Sequence, residues 1–322
     1  MTVLLTGAAG FIGMHVAERL LDRGEEVVGV DDFNAYHDPS LKEARAARLL
    51  AHPRFSLRRL DIADPAMLAR ALADSSADRV VHLAAQTGVR YSLENPFAYE
   101  RANVAGHLSV LEACRAQPGL KHLVYASSSS VYGERPLSGS GFSEDDPVDR
   151  PASLYAATKR ACELMSGTYA RLYGVPQSGL RFFTAYGPWG RPDMAYYSFT
   201  RKILAGEPIE VFGEGRMARD FTFIDDVVDG VLGVLDRPPE AAQDRVLNVG
   251  GSRPVGLMDM ISTLEGALGR TAAKIMKPMQ AGDVTSTRAD VSKLSALTGY
   301  EAQVSLPEGL QRFAAWYRIY HG

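Results

Sequence analysis

The chain has 322 residues, 46% hydrophobic and 23% charged, with a formal net charge of −3; this suits one large α/β domain with a smaller second one and gives no basic field for nucleic acid or an anionic membrane. No apolar run approaches the ~20 residues that span a bilayer. The two cysteines, Cys114 and Cys162, fall in helical patterns and read as buried, reduced thiols of a cytoplasmic protein.

The apolar run Val3–Thr6 opens the chain as a strand with no charged leader before it, so no signal peptide is expected. Further strands are expected at Glu26–Val30, Phe55–Leu60, Arg79–Leu83, His122–Ser127 and Gln177–Phe183. Helices are expected at Ile12–Leu21, Ala66–Ala73, Ala98–Ala113 and Leu154–Leu172, the last stopping at Gly174 with Pro176 beyond it. Strand–helix alternation of this kind implies a Rossmann-type, doubly wound parallel sheet over residues 1–184. From residue 185 Gly, Pro and Arg become frequent and short elements mix without a repeat, so 185–322 reads mainly as a smaller C-terminal substrate-binding domain. Residues 225–250 are expected to return to the first domain, because Asp225–Leu235 is helical and apolar on one face.

Between the first strand and the first helix stands Thr6-Gly-Ala-Ala-Gly-Phe-Ile-Gly13, where a phosphate-binding turn belongs. Gly7 permits the tight turn, Gly10 lets the backbone approach a pyrophosphate, and Gly13 lets helix and strand pack closely; Phe11 and Ile12 ride in the same segment. The helix N-terminus offers unpaired N–H groups to the phosphates. Asp31 closes the second strand, where a carboxylate accepts hydrogen bonds from the adenosine ribose and repels a 2′-phosphate. Asp32 adds to that repulsion and Asn34 joins the same cofactor set, so NAD is expected rather than NADP. Asp61 and Ile62 end the third strand and are expected beside the adenine. Leu83, Ala84 and Ala85 end the fourth, where small residues let the cofactor lie close to the backbone. Asn103 on the next helix is either structural or bonds a loop near the cofactor, and both readings stand.

Tyr155 and Lys159 are one helical turn apart and share a face. A free phenol, with a pKa of about 10, is a poor base at neutral pH, but an ammonium beside it and the positive ring of an oxidised nicotinamide favour the phenolate. Lys159 also has the reach to hold the nicotinamide ribose. The run Ser127-Ser-Ser-Ser130 lies at the carboxyl end of a strand, where α/β ligands bind, so at least one hydroxyl is expected to face the substrate and share its proton with Tyr155; others cap the strand end.

Read together, these residues resemble the extended short-chain dehydrogenase/reductase family of nucleotide-sugar enzymes along essentially the whole chain. Within it, His82–Ser92, Tyr125–Gly133, Arg181–Met194 and Arg219–Asp226 are similar to the corresponding segments of UDP-glucuronate 4-epimerases. The resemblance implies an NAD-dependent isomerase acting on a UDP-sugar, with Ser128, Tyr155 and Lys159 as its catalytic residues. It further implies Thr184 and Arg191 near the sugar carboxylate, Arg219 and Arg288 at the diphosphate, Ser127 and Ser129 in the substrate site, and a homodimer formed through helices Ala98–Ala113 and Leu154–Leu172. Relatives that decarboxylate or dehydrate their sugars carry a Glu at the position of Ser130, and dehydratases an Asp at that of Ser129; both are serines here. Two departures stand out: Thr87 replaces the family's usual Ala, and the N-terminal membrane anchor of many members is not expected here.

Three rival readings follow. A 4-epimerase for neutral sugars would leave Arg191 without a carboxylate, costly in a dry site, unless Arg191 is only a loop ion pair between two prolines. A decarboxylase is disfavoured by Ser129 and Ser130. A non-catalytic NAD-binding sensor is disfavoured because Tyr155 and Lys159 are both kept.

Overall fold

The protein is described here by a computed structural model covering residues 1–135, 139, 141–240, 243–280 and 282–322. The first half runs β1 (Thr2–Thr6), α1 (Phe11–Asp22), β2 (Glu26–Asp31), α2 (Ser40–Leu50), β3 (Phe55–Arg59), α3 (Pro65–Ser75) and β4 (Arg79–His82). Next come α4 (Tyr91–Glu94), α5 (Pro96–Tyr99), α6 (Gly106–Ala116), β5 (His122–Ser128), α7 (Leu154–Tyr173) and β6 (Gln177–Phe182). The second half begins with β7 (Thr184–Tyr186), α8 (Ala195–Ala205), β8 (Ile209–Val211), β9 (Ala218–Phe223), α9 (Ile224–Leu235) and β10 (Asp244–Val249). It ends with β11 (Pro254–Gly256), α10 (Leu257–Leu268), β12 (Lys274–Met276), α11 (Ser292–Thr298) and α12 (Leu306–His321).

Seven parallel strands form the central sheet in the order β10-β6-β5-β4-β1-β2-β3. Strands covered on both faces have no reason to alternate, and β1 accordingly buries Val3, Leu4, Leu5 and Thr6 in succession. The order reverses between β1 and β4, and that switch point opens a crevice at the carboxyl ends of the strands. β10 adds the seventh strand beside β6. α9 lies along α1, where Arg19 reaches Asp229 at 2.7 Å and Arg23 reaches Asp236 at 2.9 Å. Two smaller sheets, β11-β9-β7 and β12-β8, sit with the helices of the second half. Their core is aromatic: Tyr196 meets Phe313 at 4.8 Å and Tyr186 meets Phe223 at 5.5 Å, both edge-on. Among the described residues no helix is long and apolar enough to cross a membrane. Both cysteines are free and buried.

The expected helix Ala98–Ala113 is broken. Pro96 starts α5, and residues Glu100–Ala105 form one wide π-helical turn before α6 begins at Gly106. A side chain at Gly106 would run into Ile62, so the segment packs directly on the end of β3. Such wide turns commonly re-aim a single residue, and here that residue is Asn103. A second difference is α2, which the apolar pattern did not reveal. Its buried stripe is Leu41, Arg45, Ala46 and Leu49, so a charged residue occupies the position where helical periodicity calls for an apolar one.

Candidate active site

The switch-point crevice holds a cavity of about 890 Å³. Its floor is the turn between β1 and α1. Gly7 has φ +74° and lies so close to the end of β4 that a Cβ there would stand 2.7 Å from the Ala84 nitrogen. At Gly13 a Cβ would sit 2.0 Å from the Gly7 carbonyl oxygen. The turn therefore closes only with glycine at both positions. Gly10 caps α1 without a side-chain partner for the first-turn N–H groups, which leaves those donors for an anion in the cavity. Phe11, Ile12, Leu83, Ala84 and Ala85 line the same trough. A bare backbone trough ending in free donors fits a dinucleotide pyrophosphate.

Asp31 stands at the far end, accepting from the Ala9 and Phe33 backbone N–H groups at 3.0 and 2.9 Å. Burial pushes its carboxyl up, while Lys42 at 3.7 Å pulls it back down. Lys42, on the unforeseen helix α2, also lies 3.9 Å from Asp32, and Asn34 donates to Asp32 at 2.9 Å. Asp32, Asn34, Asp61 and Ile62 all line the cavity, although Asp61 is already held by Arg101 at 2.7 Å. Asn103 does not reach the cavity. Its oxygen accepts from the Gln86 N–H at 2.8 Å, and its amide donates to the Gln86 carbonyl and the Thr158 hydroxyl, each at 3.0 Å. Every polar atom of that buried side chain is engaged, so Asn103 bonds the loop beside the cavity rather than a ligand within it.

The reacting centre lies where β5 ends and α7 begins. Ser153 caps α7 by accepting from the Ala156 N–H at 3.1 Å, which sets Tyr155 in the first turn and Lys159 one turn on. Both line the cavity. Lys159 is buried, and its ammonium donates to the Ala126 carbonyl at 3.0 Å. The Tyr99 ring stands edge-on to Tyr155 with centroids 6.1 Å apart, and Tyr99 is fixed by donating to the Thr87 carbonyl at 2.7 Å. Ser128 and Ser129 line the cavity, and Ser130 donates to the Ser128 hydroxyl at 2.9 Å. Ser127 lines the cavity as well, but its hydroxyl is already engaged. Its hydroxyl donates to Glu163 at 2.6 Å, deep under the strand end.

Glu163 is the hub of a buried network absent from the expected site. Arg181 bonds both of its oxygens, at 2.8 and 2.9 Å, and Arg160 adds a third contact at 2.9 Å. Burial pushes its carboxyl up, but the Arg181 pair, with Ser127 and Arg160, outweighs this and holds it below the ordinary range. The signal for this pair was weak because β6 reads as a continuous buried strand that merely contains an arginine.

On the opposite wall stand Thr184, at the start of β7, and Arg191. Arg191 is not free: it grips Asp193, with Nε 3.1 Å from Oδ1 and Nη2 bonded to Oδ2. His37 lies 3.2 Å from the same carboxylate. Despite burial, the Arg191 charge holds the Asp193 carboxyl far below its ordinary range. The loop ion pair is thus real, and it sits in the cavity wall. Arg219 also lines the cavity and bonds the Ala218 carbonyl at 2.9 Å; burial pushes its guanidinium down, and the Asp283 and Glu134 charges act against that. Arg288, expected at a diphosphate, is not on the described lining. Its Nη1 donates to the Gly139 carbonyl at 3.3 Å, and its Nε is buried without a partner among the described residues. Tyr36, His37, Lys42, Arg45, Tyr91 and Asp193 line the cavity unanticipated. The first four share one signal, the aromatic and basic content of residues 36–45.

A model of the NAD dependent epimerase/dehydratase family matches residues 3–250. The chain is 48% identical to a probable UDP-glucuronate 4-epimerase of Rhizobium meliloti, over 98% of this chain and 97% of that protein. It is 47% identical to UDP-glucuronate 4-epimerase 3 of Arabidopsis thaliana, over 99% of this chain and 77% of that one. The UDP-glucuronic acid 4-epimerase of Bacillus cereus, solved with UDP-glucuronic acid and NAD, superposes with a TM-score of 0.93 at 37% identity, covering all of both chains. A match over most of the chain, with relatives near half identity along its length, leaves one conclusion: the chain belongs to the NAD dependent epimerase/dehydratase family.

Proposed function

We propose that this protein is a UDP-glucuronate 4-epimerase, interconverting UDP-glucuronate and UDP-galacturonate with a tightly held NAD. The observation that carries the reading is the meeting, in one cavity, of the glycine trough, the Tyr155–Lys159 pair and the Thr184–Arg191 wall. Its relatives of similar length that bear this name support it.

When bound, NAD supplies the acceptor and donor of a hydride at carbon 4 of the sugar. Gly7, Gly10 and Gly13 hold its pyrophosphate and Asp31 its adenosine ribose. Tyr155 takes the proton of the 4-hydroxyl and gives it back after the sugar has presented its other face. Ser128 shares that proton, and Lys159 places its charge beside the phenol while bonding the Ala126 carbonyl. Ser129 and Ser130 supply no carboxylic acid, so the site lacks an internal group to drive decarboxylation or dehydration. Thr184 and Arg191 hold the sugar carboxylate, and Arg219 takes the diphosphate. We assign residues 1–184 with 225–250 to the cofactor domain and the remainder mainly to the sugar. The protein acts in the cytoplasm as a homodimer, pairing the exposed Leu108 of α6 and Leu164 and Leu172 of α7 with a second copy.

Asp193 favours one second reading. Because it already neutralises Arg191, a neutral sugar meets no unpaired guanidinium, so UDP-glucose is the alternative substrate. Proton NMR of the purified protein incubated separately with the two sugar nucleotides decides between them. New galacturonate signals with the acid, and turnover of UDP-glucose at least tenfold slower, are expected; the reverse order replaces this reading with the second.

A further inference from the structure

Arg45 is almost wholly buried, yet among the described residues no carboxylate bonds it. All of its bonds go to backbone carbonyls from two distant places. Nη1 donates to Ala9, inside the glycine turn, at 3.2 Å. Nε and Nη2 donate to Trp189 at 3.1 and 2.5 Å, and Nη2 also to Gly190 at 3.0 Å. One guanidinium on α2 thus joins the phosphate turn to the two residues before Arg191.

The far side of this link is a strained loop. Trp189 is a non-glycine residue at φ +62°, and Gly187 stands at φ +143°. A Cβ at Gly190 would lie 1.9 Å from the Tyr196 hydroxyl. Left-handed backbone at a bulky residue persists only where its surroundings impose it. Here Trp189 is held by Trp316 and Tyr320 at 5.3 and 5.0 Å, and by the Arg45 bonds to its carbonyl. The planar fork of arginine reaches several carbonyls at once, whereas an ammonium is a single point donor.

We propose that Arg45 is a positioning residue that ties the glycine turn to the 187–191 loop and thereby fixes Arg191 against the sugar carboxylate. This deepens the UDP-glucuronate reading and rests on it. Arg45 touches no reacting atom; it acts through the loop. Its loss frees the loop and turns the Arg191 side chain away from the carboxylate, while the diphosphate contacts stay in place. A loosely held uronate that has been oxidised at carbon 4 is a β-keto acid. Breaking the carbon 5–carbon 6 bond then releases carbon dioxide, and the electron pair left on the sugar forms an enolate that takes a proton at carbon 5; return to carbon 4 of the hydride first taken from it, with a proton on the oxygen, gives the UDP-pentose.

The test compares Arg45→Lys and Arg45→Met with the wild-type protein, each with its bound NAD counted after denaturation. The measurements are KM for UDP-glucuronate, affinity for UDP alone, and the UDP-pentose share of product by NMR. Expected in both variants are a KM raised roughly tenfold to a hundredfold, as small misplacements of a binding group produce, UDP affinity within about twofold, and a larger UDP-pentose share. Wild-type KM and product share in either variant would overturn the proposal. So would an equal loss of UDP affinity, which marks general damage. If Arg45→Met fails to fold, Arg45→Lys decides alone. If the wild-type protein itself leaves UDP-glucuronate unchanged, the function reading fails first, and that outcome is distinct.

Discussion

The two walls of the cavity are built on different principles. The proposed cofactor wall is backbone: a turn that closes only around Gly7 and Gly13, followed by first-turn N–H groups of α1 that no side chain caps. The proposed sugar wall is made of side chains with distant partners: Arg191 grips Asp193, His37 lies beside them, and Arg45 bonds the carbonyls of Trp189 and Gly190. A backbone cradle gives short-range sequence signals and tolerates almost no substitution. A side-chain wall depends on partners far apart in the chain and can be tuned one contact at a time. That difference suits an enzyme family in which one cofactor serves many sugars.

The contrast can be tested from its strongest expected effect downward. Tyr155→Phe removes the group that carries the proton, and turnover should fall about a thousandfold while bound NAD stays at the wild-type level; retention of most activity would remove Tyr155 from its role. Gly13→Ala puts a Cβ 2.0 Å from the Gly7 oxygen, and overpacking of this kind costs about 3 kcal/mol. A depressed unfolding midpoint together with lost NAD is the expected result, and a variant that still binds NAD normally would show the turn to be adaptable. Glu163→Ala strands Arg181 beneath the serines, so unfolding free energy should drop by about 3–5 kcal/mol, read from urea titration. Arg191→Ala leaves the Asp193 carboxylate with His37 alone, so some stability should be lost as well, but its larger signature should be UDP-glucuronate affinity weakened roughly tenfold and more carbon dioxide released per turnover.

The smallest effect concerns pH. Burial holds His107 neutral down to about 3 and His122 down to about 4, both from an ordinary value of 6.5. The unfolded chain therefore binds more protons than the native one below that value, and stability falls as pH drops from 6.5 toward 4. The His107→Gln protein should lose part of this slope in thermal unfolding; an unchanged slope would assign it to other groups.

The parts of the site that were legible in the sequence are those whose geometry is local. The glycine spacing, Asp31 at the end of β2, and Tyr155 and Lys159 one turn apart each follow from a few neighbouring residues. What stayed hidden depends on direction or on distance. Four adjacent serines do not reveal that the Ser127 hydroxyl is engaged by Glu163 while Ser128 faces the cavity. A loop ion pair at Arg191 was among the readings its setting between two prolines allowed, but the two-residue spacing from Asp193 does not say that the pair stands in the cavity wall. Asn103 owes its position to a π-helical turn that periodicity does not register. α2 escaped notice because Arg45 breaks its apolar stripe, so the residue that joins the two walls is also the one that concealed its own helix.

The central claim is that hydrogen leaves and returns at a single sugar carbon inside one cavity. UDP-glucuronate carrying deuterium at carbon 4 tests it most directly, followed by NMR and mass analysis of the UDP-galacturonate formed in ordinary water. The account predicts that the product keeps its deuterium at carbon 4. Replacement of that label by solvent hydrogen, at the rate of epimerisation, would contradict it.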